Sequence, residues 1–254
     1  MNIGLIIALV ALLLVLVLGY NIMLQYKLKM EATRRQESAR YVAIIDATEE
    51  LIGGASHIPF SKELMLCLNN RILDSLTHML DLDPKNKHLA QRVEAAQQQI
   101  QTLSETYQSS DAVTFKVPSS DKQAIIMLKL VKRLRDTIRT EHNKGKIDTQ
   151  SYMVENARLE TIQIRINIEN VVKRANESVT KGQYGTALQL LKKGIDALST
   201  KNDNYSIHAR EKLSTMYQEL EDNRTQKSQS DTQQQVDRER NEDMDALFGE
   251  KKKW

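Results

Sequence analysis

The sequence predicts an all-α protein: an N-terminal transmembrane helix, antiparallel helical hairpins behind it, and a disordered C-terminal tail. Three observations carry this. Gly and Pro number only 9 and 3 and aromatics make up 5% of 254 residues, whereas sheet-rich chains use more turn formers and more aromatic and β-branched residues. Ile3 to Leu24 contains no charge. Beyond Leu28, apolar residues recur every three or four positions, the period of helices buried on one face.

The uncharged run, "IGLIIALVALLLVLVLGYNIML", would extend about 33 Å as a helix, enough to cross a hydrocarbon core. A cleaved signal peptide would need a basic leader, a shorter apolar stretch and a small-x-small site; Asn2 alone separates the run from Met1, and Tyr20 and Tyr26 stand where an interfacial aromatic belt would be. Residues 1–26 are expected to be a retained anchor. Lys27, Lys29, Arg34, Arg35 and Arg40 follow it. The positive-inside rule then expects an inner (plasma) membrane protein, single-pass, with its N-terminus outside and its body cytoplasmic. The same cluster also suits anionic lipid headgroups. A single cysteine, Cys67, allows no intrachain disulfide and agrees with a reducing compartment.

Residues 27–52 read as a juxtamembrane helix. Leu28 to Glu50 is heptad-like and leaves homodimerisation open. Gly53, Gly54 and Pro59 break it. In the hairpin expected over 60–108, Ser61 caps a helix with Leu64, Leu68, Ile72, Leu76 and Met79 on one face. Cys67 is a small core side chain beside that stripe, with nothing nearby to lower its pKa. Asp83 as N-cap with Pro84 at the first position starts the second helix, whose face is Leu89, Val93, Ala96, Ile100 and Leu103. A loop follows, with Val113, Phe115 and Val117 candidates for pinning it to the body.

The domain over 119–222 opens at Ser120 with Gln123 three residues on, a capping-box pattern. Its first helix carries eight Lys/Arg against two acids between 122 and 146. Lys129, Lys132, Arg133, Arg135 and Arg139 are the candidate anion-binding residues, for nucleic acid or lipid; the plainer reading is a solvated face opposite Met127, Leu130, Val131, Leu134 and Ile138. Asp148 caps the next helix. Within it Ile162, Ile164, Ile166 and Ile168 alternate like a strand, but the flanks are helical without a breaker, so one long central helix is expected. Gly182 closes it, "YGTALQLLKKGIDAL" follows, and "AREKLSTMYQELEDN" ends the body with Leu213, Met216, Tyr217 and Leu220 on one side.

"KGQYGTALQLLKKGIDAL" resembles the second half of a tetratricopeptide repeat. Gly182 and Tyr184 sit at the inter-helix turn, Ala187 at the small position, Leu191 at the large apolar one, and Gly194–Ile195 match the small–large pair that follows. Val171, Arg174 and Ser178 depart from the usual Trp, Leu and Tyr of the first half. "LTHMLDLDPKNKHLAQRV" is similar to a junction between two such repeats. The resemblance implies stacked hairpins that bind peptides. The whole plan, one span, a helical body and a "KKKW"-like end, resembles a group of small uncharacterised bacterial inner-membrane proteins. Members sometimes carry labels such as DNA repair ATPase or chromosome-partitioning protein. This chain has no G-x-x-x-x-G-K-[ST] to hold phosphates.

No enzymatic constellation stands out, so no activity or cofactor is expected. His57, His78, His88, His142 and His208 are scattered, without metal-ligand spacing, and carboxylates read as lying on solvated helix faces among Lys and Arg. The tail, 223–254, is Gln-, Ser- and charge-rich without an apolar face and is expected to be disordered or a frayed helix. Its end is different. Asp243, Met244, Asp245, Leu247 and Phe248 form a short acidic-apolar peptide whose apolar residues fall at i, i+3 and i+4, the form of a segment that folds into a partner's groove. It resembles the acidic peptide by which a flagellar motor switch protein recruits its response regulator. Trp254, after three lysines, is a further anchor for a partner or for the membrane interface. Docking of the peptide on the chain's own helices is the competing reading. The expected function is a membrane-anchored adaptor for a cytoplasmic protein; the alternative is a membrane tether for nucleic acid.

Overall fold

The computed structural model describes residues 3–108, 115, 118 and 120–248, without the side chains of 241–248 and of several residues between 4 and 15. Among the described residues there are seven α-helices and no strand: α1 Ile3–Gly53, α2 Lys62–Leu82, α3 Lys87–Thr106, α4 Asp121–Asn143, α5 Thr149–Thr180, α6 Tyr184–Leu198 and α7 Asn204–Phe248. The chain divides into two compact units, Met1–Thr114 with Lys132–Asn156, and Phe115–Val131 with Ala157–Trp254.

In the first unit, the apolar run and the segment over 27–52 are one uninterrupted helix. The 51 residues of α1 measure about 77 Å at 1.5 Å per residue. α1 is the one helix among the described residues long and apolar enough to cross a membrane. Its described apolar side chains there point outward: Leu12, Leu14, Leu16 and Leu18 are all more than half exposed. From Tyr41 the same helix packs into the body, burying Ile45, Thr48 and Leu51. Ile45 joins Leu76, Met79 and Leu89 in a core flanked by Tyr41, Ile72 and Val93. Each such side chain contributes about 1.5–3 kcal/mol by leaving water.

The break at Gly53 and Gly54 continues as a 3-10 turn, Gly54–Ser56, and buries Ile58 and Phe60. Ser61 caps α2 as its sequence position implies, accepting from the Leu64 amide at 2.9 Å. Tyr107 donates its hydroxyl to the Phe60 carbonyl at 3.2 Å, tying the end of α3 to this loop. One expected cap is displaced. Asp83 ends α2 instead of starting α3, and Asn86 is the N-cap, accepting from Leu89 N at 3.2 Å. Asp83 is drawn away because its carboxylate pairs with Arg34 of α1 at 2.8 Å, so Pro84 sits in the turn.

In the second unit, the Ile162–Ile168 segment is helical. Ile162 and Ile166 are fully buried and Ile168 nearly so, as a central helix with two apolar sides requires. α5 ends at Gly182, whose φ of +74° costs a residue with a Cβ about 1–2 kcal/mol. The amides of Gly182 and Gln183 donate to Val179 O (2.9 Å) and Ser178 O (2.8 Å), the paired bonds of a Schellman end. α6 and α7 then pack Ala187, Leu188, Leu191, Leu213 and Leu220 against Ile168 and Ala175 of α5. Phe115 is buried under the Arg165 guanidinium, 4.8 Å from its ring centroid; Val113 and Val117 lie outside the described residues. α7 does not end near Asn223 but continues as helix to Phe248, with every side chain from 223 to 240 exposed. No core holds this extension. Its Gln-, Arg- and Glu-rich composition favours helix locally, as does the bond from Gln233 to Asp237, one turn on, at 3.3 Å.

Candidate functional site

The acidic-apolar peptide lies at the end of α7. The backbone of Asp243, Met244, Asp245, Leu247 and Phe248 is helical, the conformation that sets i, i+3 and i+4 on one side. Trp254 lies outside the described residues. The helix before the peptide is polar and exposed, so it holds the end of the chain at a distance set by helical rise.

The five candidate cations of α4 do not share one environment. Lys129, Lys132 and Arg139 are exposed. Arg133 is engaged by Glu50 through two bonds, 2.7 and 2.9 Å. That pairing holds the Glu50 carboxyl below its ordinary range and raises the Arg133 guanidinium. Arg135 is half-buried and donates Nε to Asn156 Oδ1 at 3.0 Å. Two of the five are therefore occupied in joining helices of the first unit.

That unit also holds a polar cluster that sequence reading missed. Glu141 and Glu155 are 2% and 5% exposed, which corrects the expectation that the carboxylates sit on solvated faces. Glu141 accepts from Arg71 (2.5 Å) and Lys144 (2.8 Å). Glu155 accepts from the Ser61 hydroxyl at 2.6 Å. Nearby, Lys146 pairs with Asp74 at 2.7 Å, which raises its pKa. His142 stacks on Tyr152 with centroids 4.5 Å apart. A cavity of about 250 Å³ adjoins the cluster. Burial, reinforced by the Glu141 charge, pushes the Cys67 thiol up to about 12, so at neutral pH it is a protonated, weakly nucleophilic group. Within the cluster Glu141 is matched by Arg71 and Lys144 and Asp74 by Lys146, and buried pairs such as Arg71–Glu141 are costly to break singly. The only advance signal was the placement of Glu141 and Glu155 at helix positions in register with buried Leu134, Ile138 and Leu159.

No protein-family model, curated protein or solved structure matches this chain.

Proposed function

We propose that the chain is a membrane-anchored adaptor that brings a cytoplasmic protein to the bilayer. The observation that carries this reading is α1 itself. One helix presents an exposed apolar segment at its N-terminal end and becomes part of a buried core at the other. Such a segment is stable in lipid and costly in water. The basic residues that follow it, Lys27, Lys29, Arg34, Arg35 and Arg40, favour the cytoplasmic side of an inner membrane. In this reading the body is a repeat-like helical scaffold, with α5 and α6 as a tetratricopeptide-like hairpin. The peptide from Asp243 to Phe248 is the recognition element, on an exposed helical extension. The second reading, a nucleic-acid tether through α4, retains Lys129, Lys132 and Arg139 as exposed contacts.

The test is a photo-reactive residue at Phe248 in cells, read by mass spectrometry. A dominant foreign protein, lost on Leu247→Ala with Met244→Ala, supports the adaptor. Crosslinks confined to this chain would mean that the peptide docks in cis. DNA binding that weakens steeply with salt, and that Lys132→Ala with Arg139→Ala abolishes, would favour the tether.

A further inference from the structure

The turn between α2 and α3 carries a basic tip held against the juxtamembrane part of α1. α2 runs back along α1, and Asp83 at its end pairs with Arg34 at 2.8 Å. Lys85, Lys87 and His88 follow at once, all exposed. Between this turn and α1 lies a groove of about 830 Å³. Arg34, Arg35 and His88 line it on the polar side; Val42, Met79 and Leu82 provide apolar walls.

The height of this groove is fixed by α1. Arg34 is the tenth residue after Leu24, about 15 Å further along a continuous helix. The headgroup layer is about 5–8 Å thick beyond the hydrocarbon, and charge acts about another 8–10 Å through physiological salt. A tip at that height is within reach of the bilayer surface. The sign of its charge suits an anionic one. Residues 27–40 and 81–88 together hold seven Lys/Arg and four Asp/Glu, a net +3 with His88 neutral. Asp83 pairs with Arg34 and Glu31 with Arg35 at 3.8 Å, which leaves Lys27, Lys29, Arg40, Lys85 and Lys87 against Glu37 and Asp81.

We infer that the α2–α3 turn is a second membrane contact, in which Lys85 and Lys87 bind anionic phospholipid headgroups and fix the tilt of the body on the bilayer. This rests on the reading of α1 as a membrane span. The turn acts as a foot: the span alone would leave the body free to lean, and a charged contact off the helix axis resists that.

The test uses the full chain in nanodiscs of phosphatidylcholine, with or without about one-third phosphatidylglycerol, the charge being what recruits the lysines. A nitroxide on Pro84→Cys, in a Cys67→Ala background, reports collisions with an aqueous nickel chelate. Accessibility several-fold lower in the anionic discs, restored by Lys85→Glu with Lys87→Glu, is the expected result. Equal accessibility in both discs overturns the proposal, as does protection that survives the charge reversal. Inorganic phosphate at millimolar concentration should not restore accessibility; if it does, the site takes free phosphate and not the bilayer. A second nitroxide at Leu14→Cys reads the span by itself. Aqueous exposure there would sink the membrane reading, whereas a protected Leu14 with an exposed turn sinks only the foot.

Discussion

Ser61 and Glu155 stand 94 positions apart and share a buried hydrogen bond of 2.6 Å, while the same hydroxyl oxygen caps α2 by accepting from Leu64 N. One side chain thus starts a helix and satisfies a carboxylate on α5. Ser61→Ala removes both at once. The cap is worth about 0.5–2 kcal/mol, and a buried acceptor left short of a partner costs about 1–3 kcal/mol more. The expected loss is about 2–4 kcal/mol, read by chemical denaturation, and Ser61→Thr should recover most of it.

Arg71 and Glu141 test the neighbouring cluster. Arg71→Ala strips a nearly buried carboxylate of its shortest partner, for which about 3–5 kcal/mol is the expected cost of a broken buried pair. Lys144 still reaches Glu141 at 2.8 Å, so the loss should fall at the lower end and grow when Lys144→Ala is added. A double-mutant cycle measures the coupling.

The Cys67 thiol has a pH signature. Its folded-state value, about 12, lies above the ordinary 9.0. The folded chain therefore holds the proton more tightly, and the contribution is fully present below pH 9 and is lost as pH rises toward 12. Stability should decline across that window, and Cys67→Ala should flatten the slope. Tyr205, raised to about 12 mainly by burial, accounts for a residual slope that Tyr205→Phe removes. Alkylation of native Cys67 at pH 8 should be slow and become fast on unfolding.

Gly194 lies against α7. A Cβ there would meet Leu213 Cδ1 at 2.9 Å and Val171 Cγ1 at 3.3 Å. Gly194→Ala gains helix propensity of about 1 kcal/mol but needs a shift of the Leu213 side-chain tip and a small give at Val171, so a change near zero is expected. Gly194→Val overpacks the contact and should cost about 1–3 kcal/mol. Equal effects of the two in thermal denaturation would contradict this close approach.

Truncation after Asn223 should leave the body's melting temperature almost unchanged, because the described side chains from 223 to 240 are exposed. One contact would be lost with them: Lys227 Nζ lies 5.8 Å from the Tyr184 ring centroid, an interaction worth about 0.5–1 kcal/mol. On the adaptor reading, partner capture disappears in the same shortened chain that melts normally.

Much of the fold was legible because local chemistry and burial agree. Ser61 and Ser120 cap where their spacing placed them, Asp148 accepts from Ser151 N at 2.9 Å, and Gly182 takes the left-handed conformation its position implied. What sequence could not supply came from long-range partners. Asp83 looks like a cap until Arg34 claims it, and Glu141 looks solvated until Arg71 arrives from 70 positions away. For the end of α7 sequence left disorder and a frayed helix open, and the helix is what is found: residues 223–240 show no apolar period because no core buries them. The basic stretch of α4 was visible, but not that Arg133 and Arg135 are spent on Glu50 and Asn156.

The continuity of α1 makes azimuth a heritable property of the body. With no hinge between Leu24 and Tyr41, each residue inserted into that stretch turns everything beyond it by about 100° and moves it about 1.5 Å. One added residue would swing the α2–α3 turn to another compass point around the helix axis, while seven would return it to within about 20° of its starting bearing, roughly 10 Å further out. Spacing here behaves as a phase, so a deletion that leaves every side-chain contact of the body intact can still point it the wrong way.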